Sequence, residues 1–324
     1  MLGPSESQTM PMFSVCLPTY NRGYCLANAI QSVLDQDFDD YELLICDDAS
    51  TDNTRAIIQS FDDRRIRTHF WPERGGIYAN HNRCIGDALG QWVVFLHSDD
   101  QLVPSALASY AQLITQFPNA ALFYPRNSVH AMIADSVFPV VLDGQLGLPF
   151  ILRCPAGAPT GCCFGHSVLE KLRFVEDNLA ADLDFIFRLL FLGEQMIVHD
   201  RPVVKIADND QQASYNWHRS GNCVRDVERV LRNNFRGREH LIVESVGDQI
   251  DSWSDNEIAR LFMLMAHAGY TQDIRLLESR IGRTTYKSQR AYRHVRVMKL
   301  LGSGFLSSTY RVCKSVSSRL GDLR

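Results

Sequence analysis

The chain has 324 residues, of which 45% are hydrophobic and 22% charged, a composition typical of a soluble globular protein. Its nine cysteines are scattered and form no CxxC pair, which argues against a disulfide framework and fits a reducing compartment. No apolar run approaches the roughly 20 residues that span a bilayer, and the first ten residues lack the features of a signal peptide. We therefore expect a cytoplasmic protein, soluble or peripheral on a membrane.

The net charge of −4 is unevenly distributed. Residues 283–324 contain ten Lys or Arg and one acid, Asp322, so this segment carries +9 and the rest of the chain −13. The sequence thus combines an acidic body with a basic C-terminal arm.

Strand and helix signals alternate over the first 125 residues. Short apolar runs indicate strands at Phe13–Leu17, Tyr41–Cys46, Ile66–Phe70 and Trp92–Leu96. Helical spacing or capping residues indicate helices at 26–34, 54–60, 77–89 and 104–117. Continuous apolar strands separated by helices predict an α/β fold: a three-layer sandwich with a mostly parallel central sheet and right-handed crossovers.

The remaining chain is less regular. Residues 126–220 mix strand signals, such as 129–141, with a helix at 182–192, and from 221 onward the pattern is helical. We expect a disordered N-terminus at 1–11 and an α/β domain at 12–220, divided into halves at 12–125 and 126–220. A helical region at 221–324 follows, with the basic arm at 283–324. One of its helices, at 258–268, is preceded by Ser254 and Glu257 at capping-box spacing.

Three predicted strands end in polar residues: 18–22 (PTYNR), 47–50 (DDAS) and 97–100 (HSDD). Ligands of open α/β sheets bind beyond the carboxyl ends of the strands, and topology places these three ends on one edge. Carboxylates crowded there repel one another unless a cation compensates them, and Mg²⁺ or Mn²⁺ shared with a diphosphate suits such oxygen ligands. Any one pair alone is better explained by helix capping and turn formation, whereas three such strand ends in register favour a ligand site.

Phosphate-loop motifs are absent from the sequence, since neither GxGxxG after the first strand nor GxxxxGK[ST] occurs. Gly75 and Gly76, ahead of a predicted helix, could approach a phosphate, although a plain loop explains them as well.

The runs FSVCLPTYNR, YELLICDDASTDNT and GGIYANHNRCIGDALGQWVVFLHSDD, taken in this order and spacing, resemble the family 2 glycosyltransferases. That resemblance implies the GT-A fold over most of residues 12–205, a nucleotide-sugar donor and a divalent metal, Mn²⁺ or Mg²⁺. It implies a metal ligand at Asp99, and a set of donor-binding residues: Pro18, Thr19, Tyr20, Arg22, Asp48, Ser98 and Asp100.

Individual roles also follow from the resemblance. Pro18, Thr19 and Tyr20 would line the nucleobase pocket with Tyr20 stacking, and Asp48 would accept a hydrogen bond from the base. Ser98 would lie near the ribose and Asp100 beside the donor sugar. The family usually has Asp-x-Asp-Asp at this strand end, whereas the first position here is His97. We expect His97 not to be a metal ligand.

The catalytic base of the resembling family is an Asp that follows a Glu where a helix opens. The matching position is Asp182, although Ala181 replaces the Glu. Such a base deprotonates the acceptor hydroxyl in an inverting transfer. Asp182 is equally explained as a first-turn acid favoured by the helix dipole, and Asp184 competes for either role. Residues 159–165 (PTGCCFG) match the family stretch that passes beneath the acceptor.

Together these residues predict an inverting, metal-dependent glycosyltransferase of bacterial surface polysaccharide or lipopolysaccharide assembly. The alternatives are a catalytically impaired scaffold of the same fold, which the departures at His97 and Ala181 favour, and a nucleotidyltransferase, which would need a Gly-rich basic loop. We expect a saccharide or lipid-linked saccharide acceptor and no nucleic-acid partner. The arm at 283–324 would bind an anionic membrane surface, and a solvated helical face or an oligomer contact explains its charge equally well. Residues 214–219 would form a lid or a mobile loop.

Overall fold

A computed structural model of the chain describes residues 10–126, 138–153, 159–207 and 222–247, together with 261, 265, 269, 270, 272, 273 and 277. The chain divides into two compact units. One comprises 1–147 and 154–209, and the other 148–153 and 210–324.

The first unit is built on a sheet of eight strands in the order β3-β2-β1-β4-β8-β6-β9-β7. Six of these strands run in one direction, and β7 and β8 are antiparallel to their neighbours. Two further strands, β5 and β10, form a separate antiparallel pair. The strand bounds are β1 Phe13–Thr19, β2 Tyr41–Asp47, β3 Ile66–Phe70, β4 Trp92–Phe95, β5 Gln101–Leu102, β6 Ala120–Pro125, β7 Val140–Asp143, β8 Cys163–Gly165, β9 Gln195–His199 and β10 Val204–Lys205.

Helices connect the strands of the first unit and cover both faces of its sheet. Their bounds are α1 Leu26–Leu34, α2 Thr54–Gln59, α3 Ile77–Asp87, α4 Ala106–Gln116, α6 His166–Lys171 and α7 Ala181–Phe191, with a 3₁₀ turn at Gly144–Gly147. The described helices of the second unit are α5 Leu148–Arg153, α8 Asn222–Phe235 and α9 His240–Gly247.

The layers follow from the alternation of side chains along β1, all of whose residues are buried. Phe13, Val15 and Leu17 belong to a hydrophobic cluster shared with α1, α2 and α4. Cys16 faces the opposite way, and its thiol lies against the backbone of α3. Burying each large apolar side chain contributes about 1.5–3 kcal/mol, so both faces stabilise the sandwich. The predicted three-layer α/β fold with a mostly parallel sheet is confirmed.

The strand predicted at 92–96 and the three before it are present, with ends shifted by up to two residues. The short strand β8 lies between β4 and β6 and was not predicted, because three residues are too few to show any periodicity. Helix α4 begins at Ala106 rather than Pro104, since the Ala106 amide donates to the Val103 carbonyl in a preceding turn. Of the strand predicted at 129–141, only its end lies in the described range, in β7.

Within the second unit, α9 packs against α5, and the Tyr270 hydroxyl donates to the Leu231 carbonyl at 3.0 Å. Most of the helix predicted at 258–268 lies outside the described residues, as do the N-terminal residues 1–9, the segment 214–219 and the basic arm 283–324. Among the helices that the structure describes, none combines the length and hydropathy needed to cross a membrane.

Candidate active site

The carboxyl ends of β1, β2 and β4 meet at one edge of the sheet. The three strands are adjacent and parallel, with Thr19 in register with Asp47. Beyond the strands the contact continues, because the Asp48 amide donates to the Thr19 carbonyl at 3.0 Å. Two of the three polar strand ends predicted from the sequence are therefore in direct contact, and the third follows β4 on the other side of β1.

Asp48 is held by three donors. It is 2% exposed, and its carboxylate accepts hydrogen bonds from the amides of Gly75 (2.7 Å) and Gly76 (2.8 Å) and from Arg83 Nη1 (2.8 Å). A buried carboxylate needs such partners, since an unpaired one would be strongly destabilising. Asp48 thus fixes the loop before α3 to the end of β2, and the two glycine amides bind this carboxylate.

The turns that follow β1 and β2 are joined to each other. Asn21 and Ala49 both have positive φ, 52° and 61°, a conformation that is uncommon for residues other than glycine. The Asn21 amide donates to Ser50 Oγ at 2.8 Å, and Asn21 Oδ1 accepts from the Thr51 amide at 2.8 Å. In the same region the Arg22 amide donates to Thr54 Oγ1 at 2.8 Å. Backbone strain of this kind, about 1–3 kcal/mol per residue, persists where the surroundings enforce it.

Two buried polar atoms near the end of β1 have no hydrogen-bond partner in the structure. Thr19 is 3% exposed and its Oγ1 is unpartnered, and so is Oδ1 of the neighbouring Asn80. The amide nitrogen of Asn80 donates to the Cys46 carbonyl at 2.9 Å, so this side chain is fixed between β1 and β2. An unsatisfied buried polar atom costs about 1–3 kcal/mol, and a ligand that supplied the missing bonds would recover it.

Tyr20, predicted to stack on a base, has the guanidinium of Arg74 over its ring at 4.0 Å from the centroid. Pro18 is buried within β1. The carbonyls of Arg22 and Ser98 both accept from the thiol of Cys25, at 3.6 and 3.3 Å. The loop after β1 therefore lies against the loop after β4.

His97, Asp99 and Asp100 form a group that could hold a metal ion, with one ligand atom from each lying within 4.8 Å of the others. Asp100 is buried, and its Oδ1 accepts from the Ala207 amide at 2.9 Å. Burial raises the pKa of Asp100, while His97, Ala207 and the Thr160 hydroxyl lower it. The group offers two carboxylates and one imidazole, and His97 and Asp99 are only half-buried, so these residues fit a divalent metal ion.

His97 has a histidine neighbour that the sequence pattern did not reveal. His81, on α3, lies with its Nε2 3.4 Å from Nε2 of His97, and its Nδ1 is 2.8 Å from the Ile77 carbonyl. Burial, followed by the effect of His97, lowers the pKa of His81 to about 3, so the ring is neutral near pH 7. The backbone of His97 is fixed as well, since its amide donates to Thr160 Oγ1 at 3.1 Å.

Asp182 lies in the first turn of α7. It is half-buried and borders a small cavity lined by Leu122, Tyr124, Pro159, Phe164, Phe174, Phe185 and Ile186. These apolar surroundings raise the pKa of Asp182 to about 7, although the Leu183 amide donates to its Oδ1 at 2.8 Å. Its charge in turn raises the pKa values of Tyr78 and Cys162, with burial the larger cause in both.

Asp184, the competing acid, has a different environment. It is buried, and its Oδ2 is 2.7 Å from Nε of Arg188 one turn along α7. It therefore helps to fix the helix, whereas Asp182 shows no ion pair in the structure described.

Four residues of this site were missed by sequence reasoning, namely Arg74, Asn80, His81 and Arg83. All four lie in the loop before α3 or on α3, within the run GGIYANHNRCIG or just before it. Their spacing is that of an ordinary amphipathic helix, so no local signal marks them. Only the sheet topology, which packs α3 against β1 and β2, brings them to the site.

Residues 14–133 match the family model for glycosyl transferase family 2. Over 107 residues, 32% of this chain, the sequence is 39% identical to the GalNAc(5)-diNAcBac-PP-undecaprenol beta-1,3-glucosyltransferase of Campylobacter jejuni subsp. jejuni serotype O:2. The chain spans about a third of the length of the curated relatives it matches, 34% in this case.

Two solved structures share the fold. Residues 1–349 of S. aureus TarS, in complex with UDP, superpose with a TM-score of 0.58 at 17% identity, covering 90% of this chain and 92% of that one. The mannosyltransferase PcManGT of Pyrobaculum calidifontis, in complex with GDP-Man and Mn²⁺, gives a TM-score of 0.57 at 16% identity, covering 98% and 88%. The chain therefore has the GT-A type of fold, and its segment 14–133 is similar to glycosyl transferase family 2.

Proposed function

We propose that this protein is an inverting glycosyltransferase that moves a sugar from a nucleotide-diphosphate sugar to a hydroxyl acceptor. The observation that carries the proposal is the group formed by His97, Asp99 and Asp100 on the same sheet edge as the unpartnered, buried hydroxyl of Thr19. A nucleotide-sugar presents a base, a diphosphate and a sugar in line, and this edge offers the unpartnered hydroxyl of Thr19 followed by a group of possible metal ligands.

In this proposal the donor is bound by the residues at the ends of β1, β2 and β4. The unpartnered hydroxyl of Thr19 would hydrogen-bond to the nucleobase. Tyr20 would stack on the base once the guanidinium of Arg74 moves off the tyrosine ring. Asp48 keeps the loop before α3 in place. Pro18 would line the nucleobase pocket, and Arg22 would belong to the same set of donor-binding residues. Ser98 would lie near the ribose and Asp100 beside the donor sugar.

Asp99 would hold the divalent ion, Mn²⁺ or Mg²⁺. Once bound, such an ion offsets the negative charge that develops on the departing nucleoside diphosphate. The half-buried position of Asp99, between the fixed backbone of His97 and the fixed side chain of Asp100, suits a ligand that must also leave room for the diphosphate.

Asp182 would act as the base. It would take the proton of the acceptor hydroxyl while the acceptor oxygen bonds to the anomeric carbon and the bond from that carbon to the diphosphate oxygen breaks. A pKa of about 7 suits this task, because the carboxylate is then basic enough to accept a proton and still ionised in half of the molecules near neutrality. The pairing of Asp184 with Arg188 leaves Asp182 the better candidate.

The acceptor class is a bacterial surface polysaccharide or lipopolysaccharide precursor, in saccharide or lipid-linked form. The relative from C. jejuni bears a name that specifies a PP-undecaprenol acceptor, which supports this part of the proposal. A lipid-linked acceptor would require a location at the inner face of the membrane, and the basic arm at 283–324 could supply it. In this proposal residues 12–125 would bind the donor and residues 126–220 the acceptor.

The test is transfer by the purified full-length chain from a panel of UDP-, dTDP- and GDP-sugars with Mn²⁺ or Mg²⁺. We expect release of one nucleoside diphosphate that stops when the metal is chelated. Asp99→Asn should lower this activity at least about 100-fold, as expected for a direct metal ligand.

The matched control is Asp143→Asn, an exposed acid at the opposite edge of the sheet, which should leave activity unchanged. Full activity in Asp99→Asn would refute the site. If no nucleotide-sugar is turned over under any condition, the catalytically impaired scaffold becomes the better explanation.

A further inference from the structure

The site contains an imidazole where its family has a carboxylate, and the structure gives that imidazole a dedicated partner. His81 is 2% exposed and is enclosed by the rings of Tyr78, Phe95 and Phe174, at centroid distances of 5.4, 4.9 and 5.8 Å. Its only polar contacts in the described structure are the Ile77 carbonyl and His97. An aromatic enclosure of this kind fixes the ring plane of His81.

The hydrogen bonds of His81 determine which of its nitrogens carries the hydrogen. The Ile77 carbonyl can only accept, so Nδ1 of His81 must be the donor at 2.8 Å. Nε2 of His81 faces His97 and is otherwise surrounded by aromatic rings that offer no counter-charge, so Nε2 is an acceptor. The facing Nε2 of His97, at 3.4 Å, is therefore the nitrogen that carries the hydrogen on His97.

This arrangement leaves Nδ1 of His97 with a free lone pair. We propose that His97 is a metal ligand through Nδ1, beside Asp99, and that His81 is a positioning residue that holds His97 in the tautomer required for binding. The inference rests on the proposed function only in placing a divalent ion at Asp99.

The spacing is compatible with coordination. Two ligand atoms that are each about 2.1 Å from one ion lie at most about 4.2 Å apart. One ring nitrogen of His97 already lies within 4.8 Å of a carboxylate oxygen of Asp99 and of Asp100, so small side-chain movements would complete the site. The second nitrogen of a metal-bound histidine is generally held by a hydrogen bond, as His81 does here.

A nitrogen ligand has a chemical consequence. Imidazole is a better ligand for Mn²⁺ and later transition metals than for Mg²⁺, which prefers oxygen. His97 should therefore make this site selective for Mn²⁺ over Mg²⁺, which the usual carboxylate at that position would not do.

Pulsed electron paramagnetic resonance tests the proposal on the full-length protein loaded with Mn²⁺ alone, and with Mn²⁺ and UDP. We expect a ¹⁴N coupling to the bound Mn²⁺ in the wild type and its loss in His97→Asp. His166→Ala is the matched control, since His166 binds the Gly90 carbonyl at the opposite edge of the sheet, and the coupling should remain. Absence of ¹⁴N coupling in the wild type, or its persistence in His97→Asp, would overturn the assignment.

Metal titrations give a second readout. In His97→Asp the ratio of Mn²⁺ to Mg²⁺ affinity should fall at least about 10-fold. His81→Phe should lower the affinity for Mn²⁺ about 10–100-fold. His81→Gln should lower it less, because an amide oxygen can accept the hydrogen bond from His97. Equal affinities in the Phe and Gln variants would contradict the positioning role of His81.

These measurements separate the inference from the proposed function. A protein that shows the ¹⁴N coupling but transfers no sugar keeps the His97 assignment and loses the transferase proposal. A protein that transfers sugar but shows no ¹⁴N coupling keeps the transferase proposal and loses the His97 assignment. The coupling in the wild type needs no variant, so a variant that fails to fold does not block the test.

Discussion

At the scale of single residues, the raised pKa of Asp182 links its protonation to stability and, under the proposed function, to activity. In the folded chain its pKa is raised to about 7 by burial, whereas an unfolded Asp has a pKa near 3.9. The folded state thus binds the proton more tightly. Its contribution favours folding below about pH 4 and is lost as the pH rises through about 7.

We predict that Asp182→Asn removes this pH-dependent loss. At pH 8 the variant should be more stable than the wild type, by on the order of 2–4 kcal/mol after allowance for partial exposure, and at pH 4 the two should be nearly equal. Transfer activity should fall about 10²–10⁴-fold because the base is gone, while donor binding survives. Denaturant unfolding between pH 4 and 8 and steady-state kinetics measure both effects.

Asp184→Asn is the comparison variant. It loses the ion pair with Arg188 and should be less stable at every pH, with the pH dependence caused by Asp182 retained. If Asp182→Asn were also uniformly less stable, the raised pKa of Asp182 and its role as base would both be in doubt. In the wild type, kcat should decline as the pH falls below about 7, since protonated Asp182 cannot accept a proton.

Individual residues also show what the sequence can and cannot reveal. Asp99 and Asp100 follow a strongly apolar strand, so topology alone brings them to the ligand-binding edge. The roles of His81 and Arg83 depend instead on how α3 packs across β1 and β2, a contact between residues distant in the chain. The hydrogen-bond donors to Asp48 could not be predicted either. A carboxylate after a strand indicates a turn or a site, but the sequence does not show which groups donate to it.

At the scale of elements, the loop before α3 depends on one backbone conformation. Gly76 has φ 95° and ψ 176°, a combination open almost only to glycine, and its amide binds Asp48. Apart from its two chain neighbours, no atom of the described residues lies within 4 Å of where a Cβ would be, so a substitution there acts through the backbone rather than through a clash. A substitution of Gly76 therefore tests the effect of backbone conformation alone.

We predict that Gly76→Ala lowers the free energy of unfolding by about 1–3 kcal/mol and weakens donor binding, because the loop that fixes Asp48 is strained. Gly86→Ala is the matched control ten residues along. It lies in α3, exposed and equally free of neighbours, and should stabilise the protein by about 0.5–1 kcal/mol. Thermal unfolding and nucleoside diphosphate titrations distinguish the two. Equal effects would mean that the conformation of Gly76 does not matter.

The sequence predicted the longer strands and helices correctly, because their hydrophobic pattern extends over many residues. It did not predict the strands of two or three residues. Strands β1 and β2, each with seven consecutive buried residues, are visible as apolar runs. Strand β8 has three residues, and β5 and β10 have two each. The pairing of these short strands depends on residues distant in the chain, such as Val94 opposite Cys163. The local sequence therefore does not predict it.

At the scale of the whole molecule, the uneven distribution of charge along the sequence bears on the proposed location at a membrane surface. A chain with −13 outside residues 283–324 is repelled by an anionic lipid surface, so binding there would have to occur through the +9 arm. Each basic residue close to such a surface contributes about 1 kcal/mol, and salt screens this attraction within about 10 Å.

We predict that replacing Arg293 and Arg296 with Gln weakens binding to vesicles rich in phosphatidylserine about 30-fold, which corresponds to about 2 kcal/mol. The same change in net charge made at Arg64 and Lys205, exposed bases of the first unit, should have little effect, because these residues are not part of the arm. Co-sedimentation of the full-length variants with anionic and neutral vesicles, at low and high salt, measures the difference. If both pairs behaved alike, general electrostatics would explain the binding. If neither pair mattered, the arm would instead be a solvated face or an oligomer contact, and a lipid-linked acceptor would need another route to the site.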